Sequence, residues 1–212
     1  ENALKGYVQL LQHIEPDDDR LLAQISRDMG YIFYELGDFD RAEESLLTSL
    51  NQNLIDDDGR INRLLGFIYA KKGDFAFATE YLEEALCDSP STSLETIICQ
   101  LELGKAYIEL HECDQAISHL KSVYQYFEND IKNDYYCVVL YYLGFAYYEN
   151  QEFDRARELF EQLKKQFQLK DEHRAHGYFG ALFLAKAEHE PEAMIENASK
   201  LMELYPNFYD RE

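Results

Sequence analysis

Few groups in this sequence could do chemistry, and one histidine pair draws attention by its spacing. His173 and His176 lie three residues apart on a predicted helix, and Glu172 adjoins them. Side chains at that spacing share one helix face, so two imidazoles and a carboxylate could hold a metal ion weakly. Surface histidines without a metal are far commoner, and we predict neither a metal site nor a cofactor.

Motifs for catalytic chemistry are absent from the sequence. It contains no phosphate-binding G-x-x-x-x-G-K-[ST] loop, no G-x-S-x-G turn and no H-E-x-x-H motif. Among 41 Asp and Glu residues some pairs must fall at catalytic-looking spacing by chance, so we assign none as general acid or base. The runs at 17–19 and 56–58 lack the ligand pattern of a calcium loop and predict helix N-caps. We therefore predict that the protein is not an enzyme.

Acidic residues outnumber basic ones, and this restricts the kinds of partner. The 212 residues include 41 Asp and Glu against 20 Lys and Arg, which gives a net charge of −21. Proteins that bind nucleic acid need a net basic face to displace counterions, and anionic membrane surfaces also attract basic segments. We therefore predict that the chain binds neither nucleic acid nor a membrane.

Composition favours a helical protein with a buried core. Hydrophobic residues make up 46% of the chain, while only 10 Gly and 4 Pro are present. The cysteines lie too far apart for a local zinc or redox motif and are predicted to be reduced: Cys87, Cys99, Cys113 and Cys137. No apolar run approaches the ~18 residues of a spanning helix, and no signal peptide opens the chain. These features predict a cytoplasmic protein.

Five segments share a pattern in which a small residue stands twelve residues before an alanine. The pairs are Gly30 and Ala42, Gly66 and Ala78, Gly104 and Ala116, Gly144 and Ala156, and Ala181 and Ala193. Within each segment apolar residues recur at intervals of three and four residues, and this spacing predicts two amphipathic helices per unit. Gly37-Asp38 and Gly73-Asp74 predict the turns between the helices of the first two units. Glycine inside a helix costs about 1 kcal/mol relative to alanine, so we expect close helix approach, with the alanines as small partners.

These residues resemble the tetratricopeptide repeat family. Its pattern is followed by Leu65-Gly66-x2-Tyr69 with Ala78-x3-Leu82, Ala85 and Pro90, and by Leu143-Gly144-x2-Tyr147 with Ala156-x3-Phe160. The first and third units match with Phe33, Leu46 and Leu120 as replacements, while the fifth departs with Gly180-Ala181, Leu184 and Asn197. The opening tryptophan of the family pattern is missing throughout. The resemblance implies an all-α fold, an α-α superhelix (solenoid) of stacked antiparallel helix pairs.

We predict a single solenoid over residues 1–212. Its parts are the second helix of a partial repeat (1–16), repeat 1 (17–54), repeat 2 (55–90), repeat 3 (91–130), repeat 4 (131–169) and a divergent repeat 5 (170–212). Because the chain begins at Glu1 rather than Met, we expect it to be a piece of a longer protein. Residues 1–15 would expose an apolar strip, and no polar capping helix ends the chain, so self-association through 1–15 or the C-terminal helix is expected.

In the family that these residues resemble, first helices line a concave groove. The positions three before and one after the central small residue face it, together with a position one turn later. Here the resemblance implies a peptide-binding face of Arg27, Tyr31, Tyr34, Arg63, Phe67, Lys105, Tyr141, Phe145 and Tyr148, with Arg60 and Lys71 nearby. Tyr178 and Leu182 hold the corresponding places in the fifth unit. Tyr31 and Phe67 stand where members that clamp chaperone tails have asparagine, which disfavours that ligand.

The alternative is that these side chains have a structural role, in local packing and in salt bridges. The aromatic rings would then pack against neighbouring first helices. The three cations would form salt bridges with Asp28, Glu35, Glu102 or Glu109. Both alternatives stay open on the sequence alone.

The sequence predicts a non-enzymatic interaction scaffold that binds a peptide segment of another protein in its concave face. The cations and rings favour a ligand with an acidic part toward the first three units and an apolar part toward the last two. The alternative is a regulatory peptide-sensing domain of a bacterial signalling or transcription-regulating protein. An upstream DNA-binding helix-turn-helix would favour that alternative.

Overall fold

The computed structural model describes Gly6 and residues 18–52, 54, 58–87, 93–131, 133–165 and 170–206. These ranges contain ten α-helices and no strand. The helices are α1 (Asp19–Glu35), α2 (Phe39–Gln52), α3 (Asp58–Lys72), α4 (Phe75–Cys87), α5 (Leu94–Glu109), α6 (Cys113–Phe127), α7 (Asp134–Glu149), α8 (Phe153–Lys165), α9 (Asp171–Ala187) and α10 (Pro191–Leu204). The predicted all-α fold is confirmed. Apart from Gly6, the predicted half repeat at 1–16 lies outside the described residues, as do residues 56, 57 and 207–212.

The chain divides into two compact units, Glu1–Cys99 and Gln100–Glu212, with the division inside α5. In unit 1, α1 packs on α2 and α3 on α4, while α1 and α2 also contact α3. A buried cluster joins the first two helix pairs, and it contains Phe33, Ala42, Leu46, Ile61, Leu65 and Ile68. In unit 2, α7 contacts α6 and α8, and α9 contacts α7, α8 and α10. Within each unit, neighbouring helix pairs thus bury apolar faces against each other, as repeat architectures require.

The predicted caps and turns are confirmed where the structure describes them. Asp18 is the N-cap of α1, and its carboxylate accepts a hydrogen bond from the backbone N–H of Leu21 at 3.1 Å. Gly37 and Gly73 have φ of 75° and 79°, the left-handed conformation that a helix C′ glycine adopts. In the first turn the N–H of Asp38 donates to the carbonyl of Phe33 at 3.0 Å, which closes the chain back on α1.

The same turn recurs in the later helix pairs without glycine. His111, Gln151 and His189 have φ of 58°, 60° and 59°, at the place that Gly37 and Gly73 occupy. The hydrogen bonds also repeat, since the N–H of Glu152 donates to the carbonyl of Tyr147 at 2.8 Å. Left-handed backbone is unfavourable for residues with a Cβ, so these three turns are held by the helices on either side.

The central glycines lie where the two helices of a pair approach closely. A Cβ on Gly66 would lie 2.5 Å from Cγ of Leu82, and one on Gly30 would lie 2.6 Å from Cγ of Leu46. The bulky residue four positions after the alanine therefore fills the space above each glycine. Of the alanines expected as partners, Ala78 is among the nearest groups, since its carbonyl would lie 3.2 Å from a Cβ on Gly66.

The fifth helix pair departs from this packing, because α10 begins ten residues after the small residue Ala181 whereas the other second helices begin nine residues after their glycine. This shift places Ala198, and not Asn197, in register with Leu82. Sixteen residues after the central small residue the first four pairs carry Leu46, Leu82, Leu120 and Phe160, all buried to at least 99%. The fifth carries Asn197, which is also buried, with 8% exposed. Phe160 is larger than the leucines, and Gly180 of α9 makes room for its ring, whereas the second pair has Leu65 at that position.

Candidate protein-binding site

The clearest site in unit 1 is a cleft of about 260 Å³ between its first helices. We call it the arginine cleft, and it is lined by Tyr31, Tyr34 and Glu35 of α1, Arg60, Arg63, Leu64 and Phe67 of α3, and Glu95 and Ile98 of α5. Four of the predicted site residues therefore meet here: Tyr31, Tyr34, Arg63 and Phe67. Arg60 was expected near this face, whereas Leu64, Glu95 and Ile98 were not predicted to line it.

Two guanidinium groups give the arginine cleft its charge. The Arg60 guanidinium lies over the Tyr31 ring, 4.3 Å from the centroid, and forms no ion pair with the described residues. Arg63 is mostly buried, with 20% of its side chain exposed, and its one ion pair within the described ranges is with Glu95 at 3.5 Å. Glu95 itself is 69% exposed. A guanidinium has five N–H donors, so both arginines keep donors available for a carboxylate.

The rings supply the apolar part of the arginine cleft. Tyr31, Tyr34 and Phe67 are half-buried, and the Tyr34 ring lies 6.0 Å from that of Phe39 in α2. The cleft thus presents flat apolar surface beside two cations, which suits a segment with both acidic and apolar side chains.

Two of the predicted cations lie outside this cleft and form ion pairs with neighbouring carboxylates, as the structural alternative predicted. Arg27 donates to the carboxylate of Asp28 through Nε and Nη2, both at 2.9 Å. Lys105, in unit 2, donates to Glu102 at 2.7 Å and lies 5.1 Å from the ring centroid of Tyr142.

The predicted aromatic residues of unit 2 form a continuous ring cluster centred on Phe145. Its centroid lies 5.0 Å from that of Tyr141 and 6.0 Å from that of Tyr148. Two rings of α9 complete the cluster, with Phe183 at 5.3 Å and Phe179 at 6.4 Å from Phe145. All five rings are half-buried, so they pack on each other and still present surface.

The two phenylalanines of α9 were missed from the sequence, which had favoured Tyr178 and Leu182. Tyr178 instead packs against the buried pair Ala175 and Leu201, and the ammonium of Lys164 lies 5.0 Å from its ring centroid. Spacing from the central small residue does not reveal which residue of α9 meets α7, because that depends on how the two helices pack.

The histidine pair has protein partners. Nε2 of His173 lies 3.0 Å from a carboxylate oxygen of Asp134, and Nδ1 of His176 lies 2.8 Å from the carbonyl of Glu172. Asp134 also accepts hydrogen bonds from Lys170, and together these contacts hold the pKa of its carboxyl below the usual value. Among the described residues no group of three or more His, Cys, Asp or Glu is arranged to hold a metal ion.

Two further predictions concern surfaces. The described helices include none that is long and apolar enough to cross a membrane. α10, for which self-association was predicted, exposes Ile195 and Met202, 69% and 64% accessible and seven residues apart on one face. Self-association through this helix stays a prediction.

Two segments of the chain match profiles described as tetratricopeptide repeat, one over residues 27–92 and one over residues 138–168. Both segments contain the helix pairs with the glycine contacts described above. Over these two segments the chain is a tetratricopeptide repeat protein. Tetratricopeptide repeats are in general non-catalytic scaffolds for protein–protein interaction, which agrees with the coarse functional prediction. No curated protein matches the chain.

Solved tetratricopeptide repeat structures share the fold at low sequence identity. MamA (residues 41 to the end) from Desulfovibrio magneticus RS-1 aligns with a TM-score of 0.69 and 16% identity, over 88% of this chain and 97% of its own. BtubC from P. vanneervenii aligns with a TM-score of 0.69 and 18% identity, over 100% and 90%. YrrB, described as a TPR protein with an unusual peptide-binding site, aligns with a TM-score of 0.69 and 16% identity, over 96% and 94%.

Proposed function

We propose that this tetratricopeptide repeat protein is an interaction scaffold that binds a peptide segment of another protein on its first helices. The observation that carries the proposal is the arginine cleft, where two arginines and three rings meet in a chain of net charge −21. The peptide-binding site of YrrB, a protein of the same fold, agrees with this kind of function.

The ligand that suits the arginine cleft has acidic and apolar side chains in one extended segment. A carboxylate can replace the long contact from Arg63 to Glu95 with direct hydrogen bonds, because Glu95 is mostly in water and is displaced at low cost. Apolar side chains of the segment then lie against Tyr34 and Phe67. The remaining proposed residues, Arg27, Lys105, Tyr141, Phe145 and Tyr148, contribute further contact surface within their own units.

A random-peptide phage library panned on the chain tests this proposal. The enriched peptides are synthesised and their affinity is measured by fluorescence anisotropy, at low and at high salt. We expect enrichment of Asp and Glu beside apolar residues. Arg60→Glu with Arg63→Glu should weaken binding about ten- to hundredfold, because charge-assisted hydrogen bonds contribute about 1.5–3 kcal/mol each.

A matched variant controls for net charge. Lys165→Glu with Lys186→Glu makes the same charge change at two exposed positions of unit 2 and should leave the affinity within about twofold, since distant surface charges are screened. Equal affinity of the arginine variant and the wild type, or enrichment of basic peptides that depend on Arg63, would refute the proposed site.

A further inference from the structure

Unit 2 contains a second cleft, of about 210 Å³, on the side where α8, α9 and α10 meet. We call it the α8–α10 cleft. Its floor is apolar and is formed by Phe160, Ala181, Leu184, Ala185 and Ala193. Arg157, Glu161, Lys164, Glu190 and Glu196 surround the floor, and Asn197 forms one wall. None of these residues belongs to the arginine cleft.

Asn197 lies sixteen residues after Ala181, the spacing at which the other helix pairs have a buried leucine or phenylalanine, and it forms one wall of the α8–α10 cleft. Its amide turns back to its own helix, where Nδ2 donates to the carbonyl of Ala193 at 2.8 Å. Asn197 is therefore held against α10 on one side of the α8–α10 cleft.

The basic groups around the cleft are already satisfied. Lys164 donates to Glu161 at 2.6 Å and to Oδ1 of Asn197 at 3.1 Å. Nη2 of Arg157 lies 2.6 and 2.5 Å from the two carboxylate oxygens of Glu188, and this ion pair raises the pKa of the guanidinium. A ligand anion would have to displace these carboxylates.

The acidic groups at the rim are differently placed. The carboxylates of Glu190 and Glu196 form no salt bridge and no hydrogen bond with any residue the structure describes, and both residues are exposed. With Glu161 they make three carboxylates against two cations around the cleft. The local charge therefore favours a cation, as does the net charge of −21 of the whole chain.

We propose that the α8–α10 cleft receives the side chain of a single lysine or arginine from a partner protein. The aliphatic stem lies on Phe160, Leu184 and Ala193, and the cationic end lies between Glu190 and Glu196. Long basic side chains combine an apolar stem with a charged tip, which matches an apolar floor with an acidic rim. The volume is below the about 300–1,000 Å³ of pockets for drug-sized ligands, which suits one side chain.

Titration of the chain with amino-acid probes, followed by NMR, tests this proposal separately from the arginine cleft. N-acetyl-arginine methylamide and N-acetyl-lysine methylamide should shift the methyl signals of Ala181 and Ala193 and the side-chain amide of Asn197. We expect saturable binding with a dissociation constant of about 1 mM, the order for a ligand of so few atoms. The corresponding norleucine and glutamate derivatives should bind at least several times more weakly.

Two variants connect the shifts to the cleft. Asn197→Leu places a larger, apolar side chain on the wall of the cleft and should abolish the shifts while the fold is kept. Glu190→Gln with Glu196→Gln should weaken binding about fivefold, the order for two partly exposed ion pairs. Glu44→Gln with Glu84→Gln, at exposed positions of unit 1, should change nothing. Shifts that survive in the Asn197→Leu variant, stronger binding of the glutamate probe, or no saturable shift in the wild type would each overturn the proposal.

Discussion

The arginine cleft of unit 1 and the α8–α10 cleft of unit 2 are similar in volume, about 260 and 210 Å³, but arise in opposite ways. The arginine cleft lies between first helices and is lined by residues at the regular positions of the repeat. The α8–α10 cleft lies where the repeat is irregular, because α10 begins ten residues after Ala181 whereas the other second helices begin nine residues after their glycine.

A repeat protein of this kind therefore has two sources of binding surface. Positions that do not hold the core can vary in every repeat, and unit 1 uses them for Arg60, Arg63 and Phe67. Core positions can vary only where the loss of packing is tolerated. We expect different effects when residues are exchanged between the regular and the irregular helix pairs.

The largest effect is expected when the irregular residue is placed in a regular pair. Leu82→Asn removes a side chain that is fully buried over Gly66 and adds an amide to the core of unit 1. We expect a loss of about 3–5 kcal/mol in the free energy of unfolding, from the cavity and from the buried polar group together. Urea unfolding followed by circular dichroism measures it.

The control for this variant is the same chemical change on the surface. Leu36 is 62% exposed at the end of α1, so Leu36→Asn should alter the free energy of unfolding by less than about 0.5 kcal/mol. If Leu82→Asn lowered the free energy of unfolding no more than Leu36→Asn does, position 82 would not be a core position.

The reverse exchange should stabilise unit 2. Asn197→Leu fills the α8–α10 cleft and buries a leucine, which contributes about 1.5–3 kcal/mol, and it loses the bond from Lys164, worth about 1 kcal/mol. We expect a net gain of about 0.5–2 kcal/mol in the free energy of unfolding, measured by urea unfolding. Asn197→Ala removes the same bond without filling the cleft and should not stabilise the protein. Equal stability of the two variants would show that the leucine does not enter the cleft.

The sequence predicted the helix pairs, the cap at Asp18 and the turns at Gly37 and Gly73, because periodicity and glycine are local signals. It also brought four residues of the arginine cleft together, since one helix face is set by the 3.6-residue period. It missed Glu95 and Ile98 of α5, and Phe179 and Phe183 of α9. Their places depend on how neighbouring first helices pack, and that packing is determined by contacts between distant parts of the chain.

The turns of the two units offer an exchange of smaller effect. Gln151 holds a left-handed φ of 60° where Gly37 has 75° in unit 1. Gln151→Gly should raise the free energy of unfolding by about 0.5–1 kcal/mol, because the relief of backbone strain exceeds the added entropy of the unfolded chain. Gly37→Ala, the reciprocal change, should lower it by a similar amount. Thermal unfolding of both variants decides the point, and a destabilised Gln151→Gly would contradict it.

The smallest exchange concerns an ion pair whose polarity differs between the units. In unit 1, Glu43 of α2 accepts hydrogen bonds from Lys72 at 2.5 Å and from the Tyr69 hydroxyl at 2.8 Å. In unit 2, at the residue after the alanine, Arg157 of α8 donates to Glu188 instead. The fold therefore tolerates either polarity at this contact. Lys72→Glu should cost about 0.5–1 kcal/mol, and adding Glu43→Lys should restore most of it in a double-mutant cycle.

The pH dependence of that cycle separates an ion pair from a packing effect. Burial alone would raise the pKa of the Glu43 carboxyl, but the hydrogen bonds from Lys72 and Tyr69 outweigh it and hold this pKa below its usual value of 4.5. A lowered carboxyl pKa stabilises the folded state above 4.5, and the contribution is lost as the pH falls through the folded value. The coupling between positions 43 and 72 should therefore be present at neutral pH and vanish in acid. A coupling that is the same at both pH values would mean that packing, and not charge, connects α2 to α3 at this point.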